Sequence, residues 1–469
     1  MVSSSINSIS DIPKEGKIFF CGIGGSAMNA MASLLVNEGF IVSGSDPGIN
    51  NAVKKRLNEL KIDVFLNQDG SNITGDIDLI VATAAVDPHN AELIAAQNRN
   101  IPVVKYSKML GLIMDSKHGI AVAGTHGKTT TSSLMIKALL DCGLAPGFVI
   151  GGFVSEFGAG AKSGDSNLFV AEACEYDRSF LNLHPEIGII TNIEVDHLDI
   201  YKDIDDIKSA FSAFVANIRP EGTLIYCAQN SNALDVAQSA GCKKISYGFD
   251  SFCDVRAVNM DTANGFNRFD VLYNGKKVTS LSLLLPGGHN ILNSLAVMAA
   301  GIVLNLDLDV MSAALTSFKG AARRFDILGT KRGVTVIDDY AHHPTEIRAL
   351  LKGVKERYSA MRIVVNFQPH QISRTAVFFD EFAAAFSDAD FVFVSDIYAA
   401  RDKNFPKWVT GSALSDKIAG AGVRSSFSGD LNSSLNAVAD FVKDGDVFLT
   451  VGAGDIFKVA ADLMNRLSS

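Results

Sequence analysis

The stretch Gly119–Thr131, GIAVAGTHGKTTT, holds the residues best placed to do chemistry. An apolar run, Ile120–Ala123, breaks at Gly124 and Thr125. Gly127, Lys128, Thr129 and Thr130 follow, and then a run of helical character from Ser132 to Leu140. Strand, tight glycine turn and helix is the layout of a phosphate-binding loop. Backbone N–H groups and a helix N-terminus face the phosphates, a lysine adds a point charge, and a hydroxyl meets a divalent cation. The common pattern G-x-x-x-x-G-K-[ST] would place a glycine at position 122, where Val122 stands, so the loop reads as a shorter G-T-x-G-K-T-T. A plain glycine turn with a surface lysine is the bland alternative.

A second glycine cluster lies near the start. The apolar run Lys17–Cys21 leads into Gly22, Gly24 and Gly25, with Ala27 at the third glycine position of G-x-G-x-x-[GA]. Helical spacing from Met28 to Asn37 stops at Gly39, and a second strand, Phe40–Ser43, leads to Asp46. Such glycines let a backbone approach a diphosphate closely, and an acid about 20 residues on can hold a ribose hydroxyl. NAD and a UDP-sugar both suit this pattern. Between residues 116 and 321, two further buried strands end in polar groups: Leu168–Glu172, and Ile187–Asn192 followed by IEVDHLD with His197. Glu172 and His197 are candidate Mg²⁺ ligands beside Thr129, or else a surface acid and a loop histidine. In LPGGHNILN, Asn290 and Asn293 flank the expected start of a helix over Ser294–Leu304. They read as caps, or as amides offered to a purine.

The elements that must carry these groups alternate strand, polar loop and helix along the chain. Strands are also expected at Leu79–Ala82, Ile101–Val104, Val334–Tyr340, Arg362–Phe367, Phe391–Ser395 and Val447–Val451. His126, His197, His289, His342, His343 and His370, six of the nine histidines, fall in loops at such strand ends. The 469 residues exceed one core and predict about three domains. We place them at 1–115, 116–321 and 322–469, with Gly320-Ala-Ala as a hinge. The fold class is α/β: an N-terminal Rossmann-like domain, a central P-loop ATPase-like domain and a C-terminal Rossmann-like domain. A net charge of −9 without a basic stripe argues against nucleic acid as a partner. No apolar run is long enough to span a bilayer, and MVSSSINSISDIPKEGK lacks the layout of a secretory signal. The six cysteines have no C-x-x-C spacing and read as free thiols of a reducing cytoplasm. There is no G-x-S-x-G, no H-E-x-x-H and no protein-kinase signature.

Ordered motifs along nearly the whole chain resemble the Mur ligase family. They are GIGGSAM (22–28), AGTHGKTTT (123–131), EACEYDRSFL (172–181), TNIEVDHLDIY (191–201), PGGHNILN (286–293), GAARRFD (320–326), DDYAHHPTE (338–346), FQPHQISRT (367–375), DIYAAR (396–401) and GAGD (452–455). The likeness is strongest to the branch that adds the first amino acid. It implies ATP-dependent joining of L-alanine to the lactyl carboxylate of UDP-N-acetylmuramate in peptidoglycan synthesis, by a cytoplasmic enzyme, monomer or homodimer. It assigns Gly124, Thr125, Gly127, Lys128, Thr129 and Thr130 to the ATP phosphates, and Thr129, Glu172 and His197 to Mg²⁺. His289, Asn290 and Asn293 would lie near adenine, and Arg324 and Asp339 would approach the nucleotide. His343 and Arg374 would join Lys128 at the reacting centre. Gly22, Gly24, Gly25 and Asp46 would hold the UDP moiety in place of NAD.

Two positions depart from the family pattern: Gln371 stands where many relatives carry arginine, and Cys174 where many carry aspartate. Rival readings are a ligase adding a preformed peptide to the same sugar nucleotide, a folate polyglutamylating ligase, a UDP-sugar sensor without catalysis, and a nicotinamide dehydrogenase. The folate type would lack the N-terminal glycine motif, a sensor would not need Lys128, Glu172 and His197, and a dehydrogenase would leave the phosphate loop without a purpose.

Overall fold

The computed structural model describes residues 6–83, 86–262, 265–400, 402 and 406–468. Arg401, the end of the DIYAAR motif, lies outside them. Contacts divide the chain into two compact units, Met1–Val255 with Ala296–Met311, and Arg256–Leu295 with Ser312–Ser469.

The first unit opens with β1 (Lys17–Cys21), α1 (Ser26–Asn37), β2 (Ile41–Ser45), α2 (Asn51–Glu59), β3 (Asp63–Phe65), β4 (Leu79–Ala82), α3 (Ala91–Asn98) and β5 (Val103–Lys105). These strands form a wholly parallel sheet in the order β3-β2-β1-β4-β5. That is the doubly wound order, with helices on both faces. β1 shows why its sequence is apolar throughout: Ile18 and Phe20 enter one core, Phe19 and Cys21 the other. α1 begins two residues before the expected Met28, since Gly25 already serves as its N-cap. β5 begins after Pro102, which has no N–H to donate to the ladder.

α4 (Tyr106–Asp115) leads to β6 (His118–Ala123), α5 (Lys128–Asp141), β7 (Gly147–Val154), β8 (Ala159–Lys162), β9 (Leu168–Ala173), β10 (Ile187–Ile190), α6 (Ile204–Ala216), β11 (Thr223–Cys227), α7 (Ser231–Ala237) and β12 (Lys243–Gly248). The strand order β12-β11-β10-β6-β9-β7-β8 places β6 between β9 and β10, all three parallel. One apolar cluster runs from Ile18 and Phe20 through Met109 and Ile113 to Ala121, Phe169 and Phe211. It unites residues 1–115 with most of the expected second domain.

The second unit holds β13 (Val255–Asp261) from Arg256 on, the antiparallel pair β14 (Asn267–Tyr273) and β15 (Lys276–Leu283), and the start of α8 (Gly288–Val303). α8 begins six residues before the expected Ser294, and the end of α9 (Leu308–Ser317) follows. Then come β16 (Asp326–Lys331), β17 (Val334–Asp339), α10 (Pro344–Arg357), β18 (Arg362–Phe367), α11 (Ile372–Val377), α12 (Phe379–Ala384), β19 (Phe391–Ser395), α13 (Gly411–Gly420), β20 (Ser425–Gly429), α14 (Leu431–Phe441), β21 (Asp446–Val451) and α15 (Phe457–Ser468). Their sheet order is β16-β17-β21-β18-β19-β20, with only β16 antiparallel. Val336 and Phe448 face one core, Ile337 and Leu449 the other. All six cysteines are free, and among the described residues no helix is long and apolar enough to cross a membrane.

Gly111 carries the approach of α4 to the turn at Tyr176–Asn182: a Cβ there would stand 2.1 Å from the Asn182 carbonyl oxygen. Gly111→Ala must therefore push backbone apart, at about 1–3 kcal/mol. A thermal melt several degrees below the wild type is expected; an unchanged midpoint would refute this packing.

Candidate active site

The phosphate loop is built against β10. Gly124 (φ +141°) and Gly127 (φ +84°) take conformations that favour glycine. A Cβ on Gly124 would lie 1.9 Å from the Thr191 hydroxyl oxygen. That hydroxyl donates to the His126 carbonyl at 2.6 Å, and Asn192 both accepts the His126 N–H (2.9 Å) and donates to its carbonyl (3.0 Å). Thr125 donates its N–H to the Asn192 carbonyl, and its hydroxyl oxygen accepts the Glu194 N–H. Thr191 and Asn192 are thus residues that sequence reasoning left without a role. Gly127 caps α5 with no side chain, so the first amides of the helix and its positive end face the crevice at the end of β6. Thr129 is buried in the first turn.

Lys128 folds back over the loop. Its ammonium donates to the carbonyls of Gly124 and Thr125 and to both oxygens of Glu175, at 3.1 and 2.8 Å. Glu175, only 3% exposed, also lies 3.5 Å from His197 Nε2. Burial alone would pull Lys128 toward neutrality, but the Glu175 carboxylate overcomes it and holds the ammonium above the usual lysine range. Burial likewise opposes the charge on Glu175, and Lys128 and His197 keep it below the usual carboxylate range. Glu172 sits in β9 opposite Val122, and its carboxylate accepts the Gly151 N–H at 2.9 Å. A Cβ on neighbouring Gly152 would touch the Thr129 methyl at 3.0 Å, so Thr129 and Glu172 border the same stretch of β7. His197, with φ +53° and its ring edge-on to Tyr176, turns to Glu175. The hydroxyl of Thr129 and the carboxylate of Glu172 are the oxygen donors a hard cation prefers. Glu175 was legible only as the second acid of E-x-x-E.

In the first sheet, Gly22 (φ +88°) turns the chain after β1, and the N–H groups of Gly22 and Ile23 both donate to the Ser45 carbonyl. Asp46 accepts the Gly24 N–H at 2.9 Å, and a Cβ on Gly24 would stand 2.6 Å from the same oxygen. Asp46 therefore pins the loop. The start of α1 beyond Gly25 carries no side-chain cap, so its first amides are left without a side-chain acceptor. Beneath it, fully buried Glu92 accepts from the Ser45 hydroxyl (2.7 Å), the Cys21 thiol and the Asn72 amide. Burial, followed by Glu92, pushes the Cys21 thiol far up.

In the second unit, the reading of Asn290 and Asn293 as helix caps is corrected. Both lie inside α8 and are buried; Asn290 donates back to the Pro286 carbonyl (2.8 Å), and Asn293 donates to the Asn290 side-chain oxygen (3.2 Å). A cap would instead accept from amides further along the helix. His289 is the second residue of α8 rather than a loop histidine, and it is exposed. Arg323 is fully engaged, by Asp338, by the Gly452 and Gly454 carbonyls and by the rings of Tyr340 and Phe457. Arg324 stacks on Tyr340 and stands 3.9 Å from Glu346. Asp339 accepts the N–H groups of Phe325 (2.7 Å) and Ala341 (2.8 Å), yet burial pushes its carboxyl up to about 6 against the pull of Arg324. His343 is the N-cap of α10: its ring nitrogen accepts the Thr345 N–H, while Glu346 accepts the His343 N–H in return. Buried Arg374 reaches the ring and carbonyl of His370, both at 3.3 Å, and that ring stacks on Tyr398. Gln371 holds φ +70° at the start of α11. Lys128, Thr129, Glu172 and His197 thus gather at one crevice of the first unit, with Gly22, Gly24, Gly25 and Asp46 at the ends of β1 and β2. Arg324, Asp339 and His343 gather at the end of β17.

A phosphate loop at the end of a central parallel strand, flanked by a second glycine-rich turn, defines a nucleotide-using α/β enzyme. Residues 17–118 match the Mur ligase family catalytic domain, residues 122–301 the Mur ligase middle domain, and residues 323–454 the Mur ligase glutamate ligase domain. A UDP-N-acetylmuramate–L-alanine ligase of Clostridium kluyveri is 43% identical over 97% of this chain and 99% of its own. The crystal structure of UDP-N-acetylmuramate-alanine ligase from Thermotoga maritima superposes with a TM-score of 0.80 at 30% identity, covering 96% of this chain and 99% of that one. A murein peptide ligase from Psychrobacter arcticus shares the fold, with a TM-score of 0.70 at 23% identity over 97% of this chain and 99% of its own. The chain belongs to the Mur ligase family.

Two outcomes follow from this geometry. Gly124→Ala has no room beside Thr191, so it should lose ATP-analogue binding in a calorimetric titration; retained affinity would refute the close approach. Folding favours protonated Asp339, because its value of about 6 lies above the ordinary 3.8. Its contribution to stability is full below pH of about 4 and is lost as pH rises through about 6. Asp339→Asn should flatten that part of the stability–pH curve in denaturant titrations, and an unaltered curve would contradict the assignment.

Proposed function

We infer that this chain joins L-alanine to the lactyl carboxylate of UDP-N-acetylmuramate, forming ADP and phosphate, as an amide-bond ligase of peptidoglycan synthesis. The observation that carries the reading is the loop Gly124–Thr130, with Lys128 and an uncapped helix start facing one crevice. A free carboxylate is a poor electrophile because its leaving group would be oxide. Transfer of the γ-phosphoryl group to the lactyl carboxylate gives an acyl phosphate. The neutral amine of L-alanine then attacks the carbonyl carbon, and the tetrahedral intermediate releases phosphate and a proton as the amide forms. Lys128 and the amides of α5 offset charge on the phosphoryl group, so catalysis is mostly positioning and electrostatics. Thr129, Glu172 and His197 would hold Mg²⁺, which when bound neutralises phosphate charge.

Gly22, Gly24, Gly25 and the start of α1 suit the UDP diphosphate, with Asp46 holding the turn in shape. His289, Asn290 and Asn293 are assigned to the adenine side. The inward bonds of Asn290 and Asn293 make them supports of that wall. Arg324 and Asp339 are assigned to the nucleotide, and His343 and Arg374 to the reacting centre and the amino acid. His343 orients the acceptor from its fixed place at the start of α10. The enzyme works in the cytoplasm as a monomer or homodimer.

Phosphate release from ATP and Mg²⁺ should require both UDP-N-acetylmuramate and L-alanine. Release only with L-Ala-γ-D-Glu-diaminopimelate would move the chain to the peptide-adding branch, and none with any acceptor would leave a sensor. Lys128→Met should lower kcat by about 10²–10³-fold.

A further inference from the structure

The phosphate loop already holds an anion of its own. An ammonium has three hydrogens to donate. In this structure Lys128 places them on the Gly124 carbonyl, the Thr125 carbonyl and Glu175. None remains for a phosphate while this arrangement stands. The arrangement is not a surface accident: Glu175 is buried, its backbone carbonyl accepts the Tyr201 hydroxyl, and both carboxylate oxygens face Lys128. Glu175 also has a second partner within reach, His197 Nε2 at 3.5 Å, so it can let go of Lys128 without becoming an isolated buried charge.

We propose that Glu175 is a positioning residue that stands in for nucleotide phosphate, holding Lys128 folded into the loop until a polyphosphate takes its place, after which it stays with His197. The inference rests on the ATP-dependent reading above and adds a competition inside that site. A polyphosphate must displace Glu175 to reach Lys128, so the binding-competent form is only a fraction of the free protein. The apparent affinity is reduced by that fraction. Removing the carboxylate then has the opposite sign from removing an ordinary structural contact: it tightens binding instead of weakening it.

The test is a double-mutant cycle read by calorimetric binding of a non-hydrolysable ATP analogue with Mg²⁺, using wild type, Glu175→Gln, Lys128→Met and the double variant. Glu175→Gln should lower Kd by about tenfold when Lys128 is present, the release of a form about 90% occupied by Glu175. In the Lys128→Met background it should change Kd little. Weaker binding in Glu175→Gln would make Glu175 a structural support and overturn the proposal. Equal tightening in both backgrounds would reduce it to plain repulsion between an acid and phosphate, and overturn it too. Should Glu175→Gln fail to fold, Glu175→Asp runs the same cycle, its shorter arm reaching Lys128 less well; tightening that needs Lys128 is again expected, and its absence is fatal. Failure of the wild type to bind the analogue would instead count against the ATP-dependent reading itself.

Discussion

The contact between Gly124 and Thr191 sets the geometry of everything built on the phosphate loop. There is no space for a side chain at Gly124, and the Thr191 hydroxyl fills what space there is while bonding back to the loop at His126. Because β6 lies between β9 and β10, this one approach decides where α5 begins, where its amides point and how far Lys128 can reach. Glu172 and Glu175 come from the other neighbour, β9 and the turn after it, while Glu194, beyond β10, meets His126 of the loop. A nucleotide crevice thus arises from three adjacent parallel strands, each contributing residues at or just beyond its C-terminal end.

The charges around that crevice are arranged in layers. Glu175 meets Lys128 and His197, while Glu172 faces β7 and the first turn of α5. Two carboxylates three residues apart therefore serve different partners, because the chain leaves the strand between them. The second unit follows a similar logic with opposite emphasis: Arg323 is consumed by carbonyls and Asp338, leaving its neighbour Arg324 to stack on Tyr340 near Glu346. Adjacent residues of one type are divided into one locked into the fold and one that only stacks on Tyr340 beside Glu346.

Much of this was legible in the sequence for a simple reason. Strands buried on both faces must be largely apolar, so Lys17–Cys21, Leu168–Glu172 and Val334–Tyr340 stand out, and glycines at strand ends mark turns that favour them. Helix starts were less legible. α8 begins at Gly288 because Asn290 bonds backward to Pro286, an interaction with no pattern in the letters. Partners far apart in the chain were hidden altogether: Lys128 with Glu175, Ser45 with Glu92, Asp46 with Gly24. In each case only the fold makes the two residues neighbours. Asp46 shows what a motif's letters leave out: its carboxylate also shapes the turn, through the Gly24 and Gly48 N–H groups.

The apolar cluster that runs from β1 through α4 to β6 and α6 has a consequence for how such a chain can change over time. The segment assigned to the sugar nucleotide keeps an interior of its own on only one face of its sheet, around Phe19, Ile80 and Ala96; on the other it packs Met109 and Ile113 into one cluster with Phe169 of the segment that carries the phosphate loop. It is therefore no cassette. Exchange of one segment with that of a distant relative would bring in half of an interior cut to a different partner. Divergence here must proceed by paired, compensating changes across the seam, and recombination is favoured only where the seam is left whole.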